Sequence, residues 1–175
     1  MKKIFPLILF VITASNAYAE WKDYVPKLPE AKLKPADAST LNAGAGITQK
    51  LAHVNAEWVN PYGIAYAKLG AFLNNDHELG GQIGFRYPIA LNGTDKNGFY
   101  LGAYGGSLKS KKIDNEDKVQ YGGGVDLSYV LLNKERISTF SVGVGAGSKL
   151  HDSRGKLIED TDPRLQFSYT LSVGF

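Results

Sequence analysis

Counted back from the C-terminus in steps of two, Phe175, Val173, Leu171, Tyr169, Phe167 and Leu165 are all apolar. The positions between them, Gly174, Ser172, Thr170, Ser168, Gln166 and Arg164, hold no large apolar residue. Strict period-two alternation predicts a strand with one greasy face and one polar face. The same pattern returns in Leu79, Ile83, Phe85, Tyr87, Ile89 and Leu91, in Val119, Tyr121, Val125, Leu127, Tyr129 and Leu131, and in Phe140, Val142, Val144 and Ala146. The intervening positions are Gly, Ser, Thr, Gln, Arg or Asp in most cases. Runs 62–73 and 99–108 are also strand-like, but large residues occupy both phases, so their facing is open.

In 43–59 the apolar phase slips. Ala43, Ala45 and Ile47 are odd-numbered, whereas Ala52, Val54, Ala56 and Trp58 are even. Either 48–51 is a turn between two short strands, or it is a bulge and a further strand lies before Leu41. The connections alternate in kind. Compact turn signals stand at Asn60-Pro61, 91–98 and 133–136, whereas 109–118 and 151–163 read as longer, charged loops; 74–78 is short. Trp58, Tyr62, Tyr87, Phe99, Tyr129, Phe140 and Phe175 all flank the compact connections or close the last strand, and so predict one aromatic ring at a single end of the sheet. Phe72, Tyr121 and Phe167 predict a thinner ring at the other end.

Composition narrows the class. Hydrophobic residues make up 43% and mean hydropathy is −0.19, a profile expected when only alternate residues face lipid. Cysteine is absent, which excludes a disulfide scaffold, a thiolate metal site and a cysteine nucleophile. The three histidines have no metal-ligand spacing, so neither a metal site nor a cofactor is expected. The formal charge is +3 with scattered basic residues, which argues against nucleic acid as a partner.

The N-terminus reads as a secretory signal: Lys2 and Lys3, an apolar run over 4–12, and Ala17-Tyr18-Ala19, with cleavage expected after Ala19. The expected organisation is a signal peptide over 1–19, an irregular arm over 20–40 containing Pro26, Pro29 and Pro35, and a single β-domain over 41–175.

An exported chain whose last strand alternates to a terminal aromatic resembles the small, about eight-stranded outer-membrane β-barrel proteins of Gram-negative bacteria. That resemblance implies an all-β, single up-and-down antiparallel transmembrane barrel in the outer membrane. It implies short periplasmic turns, longer external loops and an aromatic girdle at the periplasmic interface. Outer-membrane lipids and lipopolysaccharide are the implied surroundings, and the assembly machinery would read the C-terminal strand. A barrel of this size is filled by side chains rather than open. Function would then rest on charged external loops that bind a host or surface ligand, adhere, or contact other envelope components. A narrow, porin-like channel for small solutes is the alternative.

The polar face would collect Glu57, Arg86 and Asp126 in the lumen as a charge network, with His53, Gln82, Ser128, Arg164 and Gln166. Asp114, Glu116 and Asp117 read as part of a solvated loop with interleaved lysines. His151-Asp152-Ser153 is similar to the His-x-Ser-Asn motif of the outer-membrane lipid A 3-O-deacylases. That resemblance implies His151 as general base, Ser153 as nucleophile and Glu159 or Asp160 as the orienting acid. Arg154 stands where that family has Asn, and no acid lies at the family's usual distance downstream. A binding barrel without enzymatic activity is therefore expected ahead of a hydrolase.

Overall fold

The computed structural model describes residues 33–34, 36–73, 78–92, 96–113, 116–151 and 154–175. The predicted signal peptide, most of the arm, and Asp114 and Ser153 lie outside them. Eight antiparallel strands close into one barrel: β1 (Leu41–Thr48), β2 (Leu51–Asn60), β3 (Gly63–Phe72), β4 (Leu79–Asn92), β5 (Asn97–Ile113), β6 (Glu116–Leu132), β7 (Arg136–Gly147) and β10 (Arg164–Gly174). Each neighbours the next in sequence, and β1 pairs with β10 to complete the circle. A short hairpin of β8 (Leu150–His151) and β9 (Leu157–Glu159) stands outside it.

The phase slip in 43–59 is a turn. β1 ends at Thr48 and β2 resumes at Leu51, with Gln49 at φ 52° between them. Two residues of turn exchange odd for even as the outward set, and the extra strand brings the count to eight. At the other end, Asn60 and Asn133 fold their side chains back on the chain. Asn60 Oδ1 accepts from Tyr62 N at 3.0 Å, and Asn133 Oδ1 accepts from Glu135 N at 3.0 Å and Arg136 N at 2.8 Å. The end where β1 starts and β10 finishes is called the terminal end here, and the opposite one the hairpin end.

Three expectations are corrected. Segment 109–118 is not a loop: β5 and β6 run through it as a ribbon, paired from Lys109↔Gln120 to Ile113↔Glu116. Its lysines signal solvent, but a strand that rises beyond the barrel wall meets solvent too. A bulge between Ser107 and Lys109 marks where the ribbon leaves the wall. Segment 151–163 likewise contains β9 and part of β8. Phe72 points inward and is 2% exposed, so it belongs to the lumen rather than to an outer ring.

The facing left open for β3 and β5 is now assigned. Ile64, Tyr66, Lys68 and Phe72 of β3, and Tyr100 and Tyr104 of β5, are buried in the barrel, and Leu69, Phe99 and Leu101 are exposed. Glycines make room for the rings. A Cβ on Gly84 would lie 2.5 Å from the Tyr66 ring, and one on Gly124 2.5 Å from Tyr104 Oη. A narrow barrel holds large inward residues only where the facing strands supply none.

Candidate functional site

The molecule is inverted relative to a water-soluble domain. Val54, Leu69, Ile83, Val125, Leu127, Leu165 and Val173 are all more than 40% exposed, whereas Asn55, Glu57, Lys68, Arg86, Ser128 and Thr170 are 5% exposed or less. Away from its two ends, where Arg136 and Arg164 stand exposed, the charged residues of the barrel wall below the ribbon are Glu57, Lys68, Arg86 and Asp126. All of them face the lumen and are buried, two cations against two carboxylates.

Inside, the side chains form layers. At the terminal end, Leu33 and Ala38 of the arm pack with Val59, Ile64, Tyr100, Val130, Leu132 and Ile137 into an apolar seal. Ser39 Oγ donates to Lys134 O at 2.9 Å, and Val59 N donates to Thr40 O at 2.8 Å, fixing the arm across the mouth.

Above the seal, Arg86 Nη1 lies 3.2 Å from Glu57 Oε1, and the Arg86 guanidinium stacks 4.1 Å from the centroid of the Tyr66 ring. Asp126 occupies the same register row as Arg86, through Gly102 of β5, but makes no direct ion pair with it. It accepts instead from Ser128 Oγ at 3.2 Å, and Ser128 Oγ lies 2.8 Å from Ser141 Oγ. The expected network is therefore split, with Glu57 the partner of Arg86 and Asp126 held by a hydroxyl pair.

The next layer holds a cation that sequence reasoning missed. Lys68 Nζ donates to Thr48 Oγ1 at 3.1 Å and to Ser168 Oγ at 2.9 Å, and His53 Nε2 lies 3.1 Å from Thr48 Oγ1. A cavity of about 10 Å3 lies in this layer, between Lys68, Tyr66, Gln82 and Ser168. That is at the lower limit for one water molecule.

At the hairpin end the lumen widens into a vestibule of about 230 Å3. Phe72 and Leu108 give it an apolar lining, Gln120 and Gln166 buried polar groups, and Lys50, Lys109 and Arg164 positive charge. Beside it, Glu159 of β9 is 6% exposed. It binds Lys109 Nζ and Lys111 Nζ, each at 2.9 Å, and Arg164 Nη2. Hydrogen bonds from Lys109 and then Lys111 hold its carboxyl at about 2, below the usual 4.5. Arg164 thus leaves the lumen assigned to it and joins this clamp. Gln120 Nε2 donates to Ser148 O at 2.8 Å, and Lys118 Nζ to His151 O at 3.3 Å, so β8 and β9 brace the ribbon from the side. Isolated two-stranded ribbons are marginally stable, and this bracing supplies the missing contacts.

The hydrolase constellation is not assembled among the described residues. His151 is exposed on β8, Ser153 lies outside them, and Glu159 is engaged by three cations. No group of three or more possible metal-ligating side chains occurs among the described residues. Of the aromatic set, Trp58, Tyr62, Phe99, Phe140 and Phe175 are exposed on the outer face, while Tyr87 and Tyr129 are half-buried there. Phe99 and Tyr129 meet edge to face at 5.1 Å. Tyr129↔Phe140 and Phe140↔Tyr169 continue the row, so Tyr169 joins aromatic residues from which its distance from the compact turns had left it out. A groove of about 780 Å3 at the terminal end, beside Leu131 and Leu171, has no buried polar side chain in its lining. No protein-family model, curated protein or solved structure matches the chain.

Proposed function

We propose that this protein is a non-conducting outer-membrane barrel of the small Gram-negative kind, whose hairpin end is a braced, charged platform for binding at the cell surface. The observation that carries this reading is the inverted surface: an apolar outer wall whose mid-wall charges, Glu57, Lys68, Arg86 and Asp126, are all buried on the lumen side. Water would favour the reverse arrangement, and lipid favours this one. The row Phe99, Tyr129, Phe140 and Tyr169 fits an interfacial girdle at the periplasmic side. Outer-membrane lipids and lipopolysaccharide are then the surroundings of the wall, and the exposed Phe175 is available to the assembly machinery.

The lumen argues for binding rather than transport. A polar layer whose cavity measures about 10 Å3 lies above an apolar seal, an arrangement that supports a filled lumen over a path for a hydrated solute. The platform, in contrast, is cross-linked by the Glu159 clamp, which suits a surface that positions residues for recognition.

Two measurements test the reading. The protein is expected in outer-membrane fractions, migrating differently in SDS gels with and without boiling. Recovery as a soluble periplasmic protein sinks the membrane assignment. In planar bilayers the wild-type protein is expected to be silent, and a steady ion-selective conductance puts the channel in its place.

A further inference from the structure

The rim of the hairpin end is uneven. On one side the wall stops low, at the turn between Thr48 and Leu51; on the other the β5–β6 ribbon stands beyond it. β1 pairs with β10 only as far as Thr48↔Ser168, although β10 starts at Arg164. Among the described residues the margin of β10 beyond Ser168 is met by Gln49, whose N donates to Phe167 O at 2.8 Å and whose Nε2 donates to Leu165 O at 2.7 Å. The vestibule therefore has a tall basic wall and a low sill, and the sill borders the apolar outer face at Ile47 and Leu165.

Charge in and beside this space is unbalanced. Among the described residues, Lys50, Lys109, Lys111 and Arg164 face two carboxylates, Glu159 and Asp162, a surplus of two positive charges. Glu159 keeps the cations together, because one carboxylate shared by Lys109, Lys111 and Arg164 holds them within a few ångströms of one another without neutralising them. An arginine fork beside lysine ammonium groups suits a phosphate, and a phosphate monoester carries about −1.5 to −2 charge at pH 7. The volume, about 230 Å3, is below the range of drug-sized sites and fits a headgroup-sized molecule. Phe72 and Leu108 offer its carbon atoms an apolar surface.

We propose that the vestibule binds a phosphate monoester of headgroup size, with Arg164 and Lys109 on the phosphate and Lys50 closing over the sill. The proposal rests on the reading of the hairpin end as the binding face and names the ligand class for it. The ligand has two sources with one chemistry. A lipid headgroup arrives sideways over the sill, and a phosphorylated solute arrives from above.

The test uses the full mature chain, refolded in dodecyl maltoside at low salt and titrated calorimetrically with glycerol 3-phosphate. Saturable binding is expected, with none for glycerol. Arg164→Gln and Lys50→Gln are each expected to weaken it about tenfold, the effect of removing one charge-assisted contact. Lys134→Gln at the terminal end leaves it unchanged. Should Arg164→Gln lose its heat-dependent gel shift and so fail to fold, Lys50→Gln, which lies outside the Glu159 clamp, decides alone. Competition in phosphatidylcholine nanodiscs separates the sources. Displacement of glycerol 3-phosphate by added phosphatidic acid assigns the site to a lipid headgroup, and lack of displacement assigns it to a solute. Absence of saturable binding, or equal weakening by Lys134→Gln, overturns the proposal. Because binding is read in detergent, that failure leaves the outer-membrane reading standing, and only fractionation can remove the latter.

Discussion

Arg86 and Glu57 meet at 3.2 Å with both side chains almost wholly withdrawn from solvent, and Tyr66 covers the guanidinium. Glu57 Oε1 has this one charged partner, and Oε2 has no hydrogen-bonding partner. Arg86→Ala therefore leaves a carboxylate buried without a counter-charge. The expected loss is roughly 3–5 kcal/mol, the range for removing one member of a buried pair. Urea unfolding in detergent should show a lower midpoint for Arg86→Ala than for Lys112→Ala on the ribbon. Equal midpoints would show that the pair does not hold the lumen.

Gly102 separates Arg86 from Asp126 along one register row. A Cβ there would stand 2.0 Å from Asp126 Oδ1 and 3.4 Å from Arg86 Cγ. Gly102→Ala is expected to destabilise the barrel by about 1–3 kcal/mol, as overpacking does. Asp126→Ala removes the obstructing carboxylate, so in a double-mutant cycle the pair should cost less than the sum of the single changes. Strict additivity would place the strain elsewhere.

Depth provides a test that a soluble barrel fails. Val125 lies mid-wall on β6 and is 57% exposed; Tyr121 lies near the hairpin-end rim and is 59% exposed. In lipid, Val125→Arg should cost about 2–4 kcal/mol and Tyr121→Arg about 0–1 kcal/mol. The readout is folding into large unilamellar vesicles. Similar, small effects at both sites would mean that the outer face does not meet hydrocarbon.

The Glu159 clamp has a defined pH window. Its carboxyl titrates at about 2 in the folded protein and near 4.5 when free, so the folded state binds fewer protons. The clamp is fully present above about pH 4.5 and is lost as the pH falls from there through about 2. Amide protection factors, corrected for the intrinsic pH dependence of exchange, should fall at residues 109–112 and 118–120 as the pH drops through that interval and stay constant from pH 5 to 8. In Glu159→Gln the exchange should be fast at neutral pH already. A ribbon equally protected in that variant would show that β9 does not brace it.

Legibility in the sequence followed the contrast between faces. β10 could be read because large apolar and small polar residues alternate along its whole length, and β6 and β7 because they do so over their middle stretches. β3 could not, because its outward positions include Ala65, Ala67 and Ala71 while Tyr66 and Phe72 point in. That ambiguity hid Lys68, whose charge settles its facing only once hydroxyls from β1 and β10 are seen to surround it. The ribbon was obscured differently. The bulge after Ser107 resets the phase, and lysines on a solvated strand look the same as lysines in a loop. The inward facing of Glu57, Arg86 and Asp126 followed from alternation, but the choice of partner for Arg86 depends on how neighbouring strands slide past one another, which no local pattern encodes. Glu159 drew attention as a neighbour of His151, whereas its partners lie 48–50 residues away on β5 and next to it on β10.

The seam between β1 and β10 also fixes an order of events. Thr48 and Ser168 are 120 positions apart, yet their hydroxyls meet at 2.9 Å, and the other ladders join strands that follow one another around the wall. Such nearby pairings can form as short loops close, whereas the seam must wait for the last strand to arrive. Until then the growing sheet has two raw margins, each able to capture another chain. Any delay of β10 thus lengthens the time spent as an open sheet, and the yield of closed molecules becomes a race between one clasp and every neighbour within reach.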